Sequence, residues 1–340
     1  MVATGSASPA LIKGNQESGA GRWRTIQAPT LSFYEYCELL DIDRPELPEN
    51  LKIPPLLHKI QQNRTQVMLQ LSKVQKYFHR CLQVGGFPEL TLADNDILAQ
   101  QIMREDVVDK VLNRDLPALY NLRNATELER IFIYLCSVSS DIVSVDAIAV
   151  ENYIRYLESA NLIYQSWSID LSGKKVLKAR PKIYIADAAI RNAVLMDDTM
   201  LTNSVEMGKI AETAVYKHVA AFYDHTAASV GYCRAGDKGK EIDIVVEYAP
   251  GQNILIEVKY RDGAPIADDD AIVQFSPQAA AALVITKEPH DFGLHHTPSG
   301  QNLLHIPALA FLYLLGHVEK MAITARHFWL IAKLQSQLSI

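Results

Sequence analysis

The stretch 241-EIDIVVEYAPGQNILIEVKY-260 holds two short apolar runs that carry acids and a lysine at regular spacing. Read as β-strands, alternation puts Asp243 on the face opposite Ile242, Ile244 and Val246. It likewise puts Glu257 and Lys259 together, opposite Ile254, Ile256 and Val258. Pairing Tyr248 with Ile254 leaves the loop 249-APGQN-253, a common hairpin length. That register sets Asp243 opposite Lys259, with Glu257 on the diagonal. One face of the hairpin then enters the core, and the other gathers two carboxylates and an amine.

Two chemistries account for such a face. In the first, Asp243 and Lys259 form a cross-strand ion pair and Glu257 is solvated. In the second, the carboxylates hold a hard divalent cation such as Mg²⁺ or Mn²⁺, which relieves their repulsion. The cation acidifies a water and neutralises charge on a phosphodiester, while the lysine orients that water. Working outward, the helix expected over 204–222 offers a third acid. Glu212 lies beside the apolar stripe Ala211, Val215, Val219 and Phe222, and a carboxylate near a buried face needs a partner.

The chain as a whole sets the limits. Its 340 residues suffice for two or three domains. A net charge of −6 excludes a protein that is basic all over, so contact with nucleic acid requires a local patch. Such a patch is 174-KKVLKARPK-182, with Lys174, Lys175, Lys178, Arg180 and Lys182 and no acid. It adjoins a segment laid out like a winged helix-turn-helix, 144–170, in which Val150, Ile154 and Leu157 face inward. The patch suits phosphate-backbone contact with DNA, or equally a solvated hairpin. The second helix of that segment has only Arg155 against Glu151 and Glu158, poor equipment for reading a major groove.

The four cysteines, Cys37, Cys81, Cys136 and Cys233, form no CxxC pair, which fits a reducing cytoplasm. The longest apolar run, 303-LLHIPALAFLYLLG-316, is broken by His305 and Pro307 and falls short of the ~20 residues of a membrane span. It reads as a buried strand and then a helix, with no membrane anchor expected. His290, His295, His296 and His305 are read as loop histidines without an acid at metal-ligand spacing. A helix start is expected at Thr126, with Glu129 completing a capping box.

Glu212, Asp243, Glu257 and Lys259 resemble the PD-(D/E)XK nuclease signature, in the E…D…ExK form of Holliday-junction-resolvase-like members, over residues 204–290. The resemblance implies that Asp243 and Glu257 hold the metal, Lys259 serves the attacking water and Glu212 completes the site. Ile242 stands where the literal signature has proline. Across the chain, TGS at Thr4–Ser6, GR at Gly21–Arg22, LSFYEY at Leu31–Tyr36, GGFPE at Gly85–Glu89, KIYIAD at Lys182–Asp187 and IEVK at Ile256–Lys259 follow in order. This order is similar to that of a prokaryotic family of AAA-type ATPases with a C-terminal domain of unknown function.

That resemblance implies an α/β, multidomain chain. It has an AAA-type remnant over 1–45, a helical linker over 46–125 and a winged-helix-like segment over 126–200. A nuclease-like domain with a central mixed sheet flanked by helices follows over 201–316, then a helical tail over 317–340. Thr4, Ser6 and Arg22 would be remnants of a nucleotide sensor. No GxxxxGK[ST] occurs: Gly173, Gly208 and Gly239 precede lysines that no Ser or Thr follows. ATP hydrolysis by this chain alone is not expected. Two functions follow: a Mg²⁺- or Mn²⁺-dependent DNA nuclease, or a non-catalytic module that binds DNA or a partner, the ATPase half being missing or supplied elsewhere; the expected partners are DNA and an ATPase-domain protein or a second copy of the chain.

Overall fold

A computed structural model describes residues 28–43, 45, 64–144, 148–171, 180–196, 202–224, 226–234, 239–263 and 265–320. Thr4, Ser6, Arg22, Lys174, Lys175 and Lys178 lie outside the described residues.

Nine strands form one mixed sheet: β1 (Asp141–Ile142), β2 (Ile163–Ser168), β3 (Lys182–Ile185), β4 (Ser229–Arg234), β5 (Glu241–Ala249), β6 (Gln252–Lys259), β7 (Ala281–Thr286), β8 (Gly293–His296) and β9 (Asn302–Pro307). Their spatial order is β1-β3-β2-β4-β5-β6-β7-β9-β8. The chain is therefore α/β with a large mixed sheet. The β2–β3 hairpin, read from the sequence as a wing, is antiparallel, and β2 also runs parallel to β4. That seam is narrow, joining Trp167 to Gly231 and Ser168 to Tyr232. The wing strands thus continue the sheet that carries β5 and β6.

The β5–β6 hairpin corrects the expected register by two residues. Val246 pairs with Ile254 and Glu247 with Asn253, and a bulge follows before Ala249 pairs with Gln252. The turn is Pro250–Gly251, with Gly251 at φ +71°, where proline and glycine suit a tight reversal. Continued inward, this register sets Asp243 across from Glu257 rather than Lys259.

Both faces of the central strands are buried, not one as the alternation suggested. Ile244, Val246, Ile256, Leu283 and Ile285 enter the main core, while Val245, Leu255 and Val284 enter a second, smaller one. The second core is capped by Ala271, Ile272 and Val273 of a short helix. This helix carries the crossover that a parallel β6–β7 pair requires. Glu257 is therefore buried, with Asp243 and Lys259 half-buried beside it, so these charges need partners.

Helices cover the main core. Helix α1 (Phe33–Leu39) starts at a capping box, with Ser32 and Glu35 satisfying each other's backbone amides. Its aromatics Phe33 and Tyr34 pack on Tyr313, within the helix over 308–320 that directly follows β9. Helix α2 (Arg64–Leu71) leads through a tight turn into α3 (Gln75–Val84), and Val67, Leu71, Val74 and Phe78 are buried as their spacing predicts. Helix α4 (Ala125–Ser137) is capped by Asn124, two residues ahead of the expected Thr126, because Asn124 Oδ1 accepts from the Glu127 amide. Helix α5 (Ile148–Ser159) buries Ile154 and Leu157, and on it Arg155 pairs with Glu151 at 2.6 Å. Helix α6 (Ala188–Leu195) begins at Asp187, and α7 (Ser204–Tyr223) crosses under β3, β4 and β6.

Candidate active site

The acids of β5 and β6 meet those of α7 where β3 and β5 lie on either side of β2 and β4. Lys182, from β3, is 2% exposed and stands among three carboxylates. Its Nζ lies 2.7 Å from Glu212 Oε1, 2.5 Å from Glu241 Oε1 and 3.4 Å from Asp243 Oδ1. Tyr184, two residues on and hence on the same side of the strand, donates to Glu212 Oε1 at 2.8 Å and to the Asp243 carbonyl at 3.3 Å. Tyr184 stacks on Tyr216, one turn beyond Glu212 on α7, and that contact fixes the depth of the helix.

Asp243 accepts from the Val258 amide at 2.8 Å through Oδ2. Lys259 Nζ donates to Glu257 Oε1 at 2.6 Å. The other oxygen, Glu257 Oε2, is buried without a hydrogen-bond partner among the described residues. Glu212, Asp243, Glu257 and Lys259 are thus gathered in one cluster, although Asp243 and Lys259 are not paired as the first register implied. Glu257, read in one account as solvated, is buried.

Electrostatics express the crowding. Burial, then the neighbouring Asp243, push Glu257 up to about 8. Burial and Asp243 likewise push Glu212 up to about 7. Burial would lower Lys182, but Glu212, Tyr184, Asp243 and Glu241 hold it well above its ordinary value. Four carboxylates face two ammonium groups, so full ionisation leaves two negative charges in excess. Bound protons or one divalent cation can balance them. An all-oxygen donor set with an orphaned, buried carboxylate oxygen fits a hard cation. Asp243, Glu257 and Glu212 are the residues that could hold one, the Lys182–Asp243 contact being the longest of the lysine's three.

Lys182 corrects a sequence assignment. It was grouped with the basic wing as a DNA-contacting residue, yet it is buried inside the acid cluster because its strand joins the sheet. Of that basic set only Arg180 is both described and exposed, and its carbonyl accepts from the Tyr232 hydroxyl at 2.6 Å. Lys182, Tyr184 and Glu241 went unrecognised as parts of the cluster. The alternation in 182-KIY-184 and in 241-EID-243 carried the signal, since each pair of ionisable groups is spaced by two.

A second buried ionic network explains several of the ordered motifs. Asp187 Oδ2 accepts from Lys217 Nζ at 2.8 Å, from Thr30 Oγ1 at 2.6 Å and from the Gly86 amide at 3.2 Å. Its Oδ1 accepts from the Ala189 amide at 3.0 Å, capping α6. Lys217 also donates to the Leu31 carbonyl at 2.9 Å, and Leu31 donates its amide to Gly86. LSFYEY, GGFPE, KIYIAD and α7 therefore converge on one carboxylate.

Two family models match the chain. Residues 75–201 match a domain of unknown function, DUF8612, and residues 207–309 match another, DUF4143. DUF4143 is found in AAA-ATPase-associated proteins, and neither match is to an AAA or a nuclease family. Among curated proteins, the uncharacterized protein MJ1544 of Methanocaldococcus jannaschii is 23% identical over 227 residues, covering 63% of this chain and 45% of that protein. An uncharacterized protein of Haemophilus influenzae is 23% identical over 155 residues, covering 42% of this chain and 38% of that protein. The chain thus spans less than half the length of these relatives. No solved structure matches it. Among the described residues, no helix is long and apolar enough to cross a membrane.

Proposed function

We propose that the Glu212, Asp243, Glu257 and Lys259 cluster is a Mg²⁺- or Mn²⁺-dependent phosphodiester-hydrolysing site of PD-(D/E)XK type, acting on DNA. The single observation that supports this most is Glu257 Oε2, a buried carboxylate oxygen with no partner in a cluster carrying surplus negative charge. A divalent ion bound there supplies an acidified water and a counter-charge for the phosphate. Asp243 and Glu257 present the oxygens, and the Val258 amide fixes the direction of Asp243. Lys259, held at 2.6 Å by Glu257, is placed to orient the attacking water. Tyr184 and Lys182 steady Glu212 from the far side. Arg180 is placed at the surface to meet the backbone of a nucleic acid, and DNA or an ATPase-bearing partner would complete the assembly.

One observation favours a second reading. Lys182 already stands among three carboxylates, so the ammonium group is itself a built-in counter-ion. On that reading the cluster is structural and the chain is a non-catalytic module that binds DNA or a partner. The two readings separate on metal binding. The full chain is titrated with Mn²⁺ by calorimetry and incubated with branched and linear DNA, alongside Asp243→Asn and Glu257→Gln. The nuclease reading expects Mn²⁺ binding, and at least tenfold loss of both binding and cleavage in each variant. Cleavage that survives both substitutions, or a chain that binds no Mn²⁺ and cuts no DNA, overturns it.

A further inference from the structure

We infer that the chain carries a second, chemically different metal site, for a divalent transition-metal ion of the zinc class, at Asp291, His295 and His305. The three side chains each offer a ligand atom, and these atoms all lie within 4.8 Å of one another. His305 Nδ1 is 3.0 Å from Asp291 Oδ2, and His295 Nε2 is 3.0 Å from Asp291 Oδ1. The two imidazoles stack with centroids 3.9 Å apart and planes inclined by 12°.

The placement follows from the edge hairpin. Gly293 pairs with His305 and His295 with Leu303, so the two histidines lie on one face, on a diagonal. Asp291 reaches them from the turn before β8, and its carbonyl accepts from the Thr286 hydroxyl at 3.5 Å. The histidines at 295 and 305 are strand residues, which corrects their reading as loop histidines, and the missing acid is Asp291.

Two imidazoles and one carboxylate form a donor set of intermediate softness, suited to zinc, cobalt or nickel, whereas Mg²⁺ prefers oxygen alone. Three protein ligands leave a position for water or an exchangeable ligand. Zinc–nitrogen bonds of about 2.0–2.1 Å set tetrahedral donors about 3.3 Å apart, so separations of up to 4.8 Å must close by up to about 1.5 Å. His295, 48% exposed against 13% for His305, is the side chain with solvent-facing room to turn and bring its nitrogen to the ion. The site is separate from the carboxylate cluster but lies in the same cross-sheet row. Glu257 pairs with Val284, and Val284 with His305, so the two backbones are two strand spacings, about 10 Å, apart.

Zinc titration of the full chain in the presence of millimolar Mg²⁺ tests the inference. The expected result is one Zn²⁺ per chain, retained in Asp243→Asn. Zinc affinity falls at least tenfold in His295→Ala, a half-exposed position whose loss leaves the fold intact, and further in His305→Ala. Substituting Co²⁺ gives visible absorption bands that disappear in the same variants. No zinc bound by the wild-type chain, or equal affinity in wild type and His295→Ala, overturns the assignment and leaves Asp291 as a hydrogen-bonding partner of the two imidazoles only.

Discussion

Asp187 and Glu257 are both buried carboxylates beside a lysine, yet they stand in opposite electrical conditions. Asp187 has a donor for each oxygen. Burial alone would raise it, but Lys217 and hydrogen bonds from Lys217, Thr30 and Ala189 hold it below the usual carboxylate range. Glu257 has one donor, Lys259, an orphaned second oxygen and a carboxylate neighbour, and it is pushed up. Burial is common to both, so burial is not what sets them apart. The difference is whether the shell of donors closes. A closed shell ties elements together; an open one keeps an unspent attraction for a cation.

Breaking the closed shell has the largest expected effect. Lys217→Met leaves Asp187 buried and ionised without its cation, and stability falls by about 3–5 kcal/mol in urea denaturation. A loss under about 1 kcal/mol would erase the contrast with Glu257. Gly85→Ala acts on the same shell from another side. Gly85 has φ +73° and ψ −165°, a region open to glycine, and an added Cβ would stand 2.0 Å from Asp187 Oδ1. The expected cost is about 2–3 kcal/mol, read as a lowered denaturation midpoint at unchanged slope.

Opening charge to neutralisation in the other cluster has the opposite sign. Because the folded chain holds the Glu257 proton more tightly than the unfolded chain, the native state loses stability as pH rises from about 4.5 to about 8. Glu257→Gln has nothing to ionise. In metal-free buffer it matches wild type near pH 4.5 and is the more stable of the two at pH 8.5. Denaturation curves at the two pH values check this, and equal stability at pH 8.5 would mean that Glu257 is not strained. Added Mn²⁺ should narrow the gap by stabilising wild type alone.

Local pattern made part of this legible. Period-two spacing identified Asp243, Glu257 and Lys259 as a group, and helical spacing put Glu212 beside a buried stripe. The strands at β5, β6 and β9 and the helix after β9 were readable from the sequence pattern as well. What failed were features set at long range. The register of the hairpin slipped because a bulge before Ala249 moves the turn to Pro250–Gly251, and alternation cannot see a bulge. Lys182 was misassigned because a run of lysines looks the same whether a strand lies in solvent or joins a sheet. Asp291 and His305 are 14 residues apart, and only the β8–β9 register unites them. Asp187 and Lys217 meet across 30 residues and through three separate elements, which no local period encodes.

The two-residue seam between β2 and β4 bears on inheritance. Lys182 and Tyr184 belong to the stretch matching DUF8612, whereas Glu212, Asp243 and Glu257 belong to the stretch matching DUF4143. The ammonium and the acids it serves thus lie in segments matched by different family models, joined by the two-pair strand seam, by the Tyr184–Tyr216 stack and by the Lys217–Asp187 pair. A swap of either segment between relatives would have to carry both halves of one ionic balance. A lineage that changed Lys182 would face compensation among acids it had not altered.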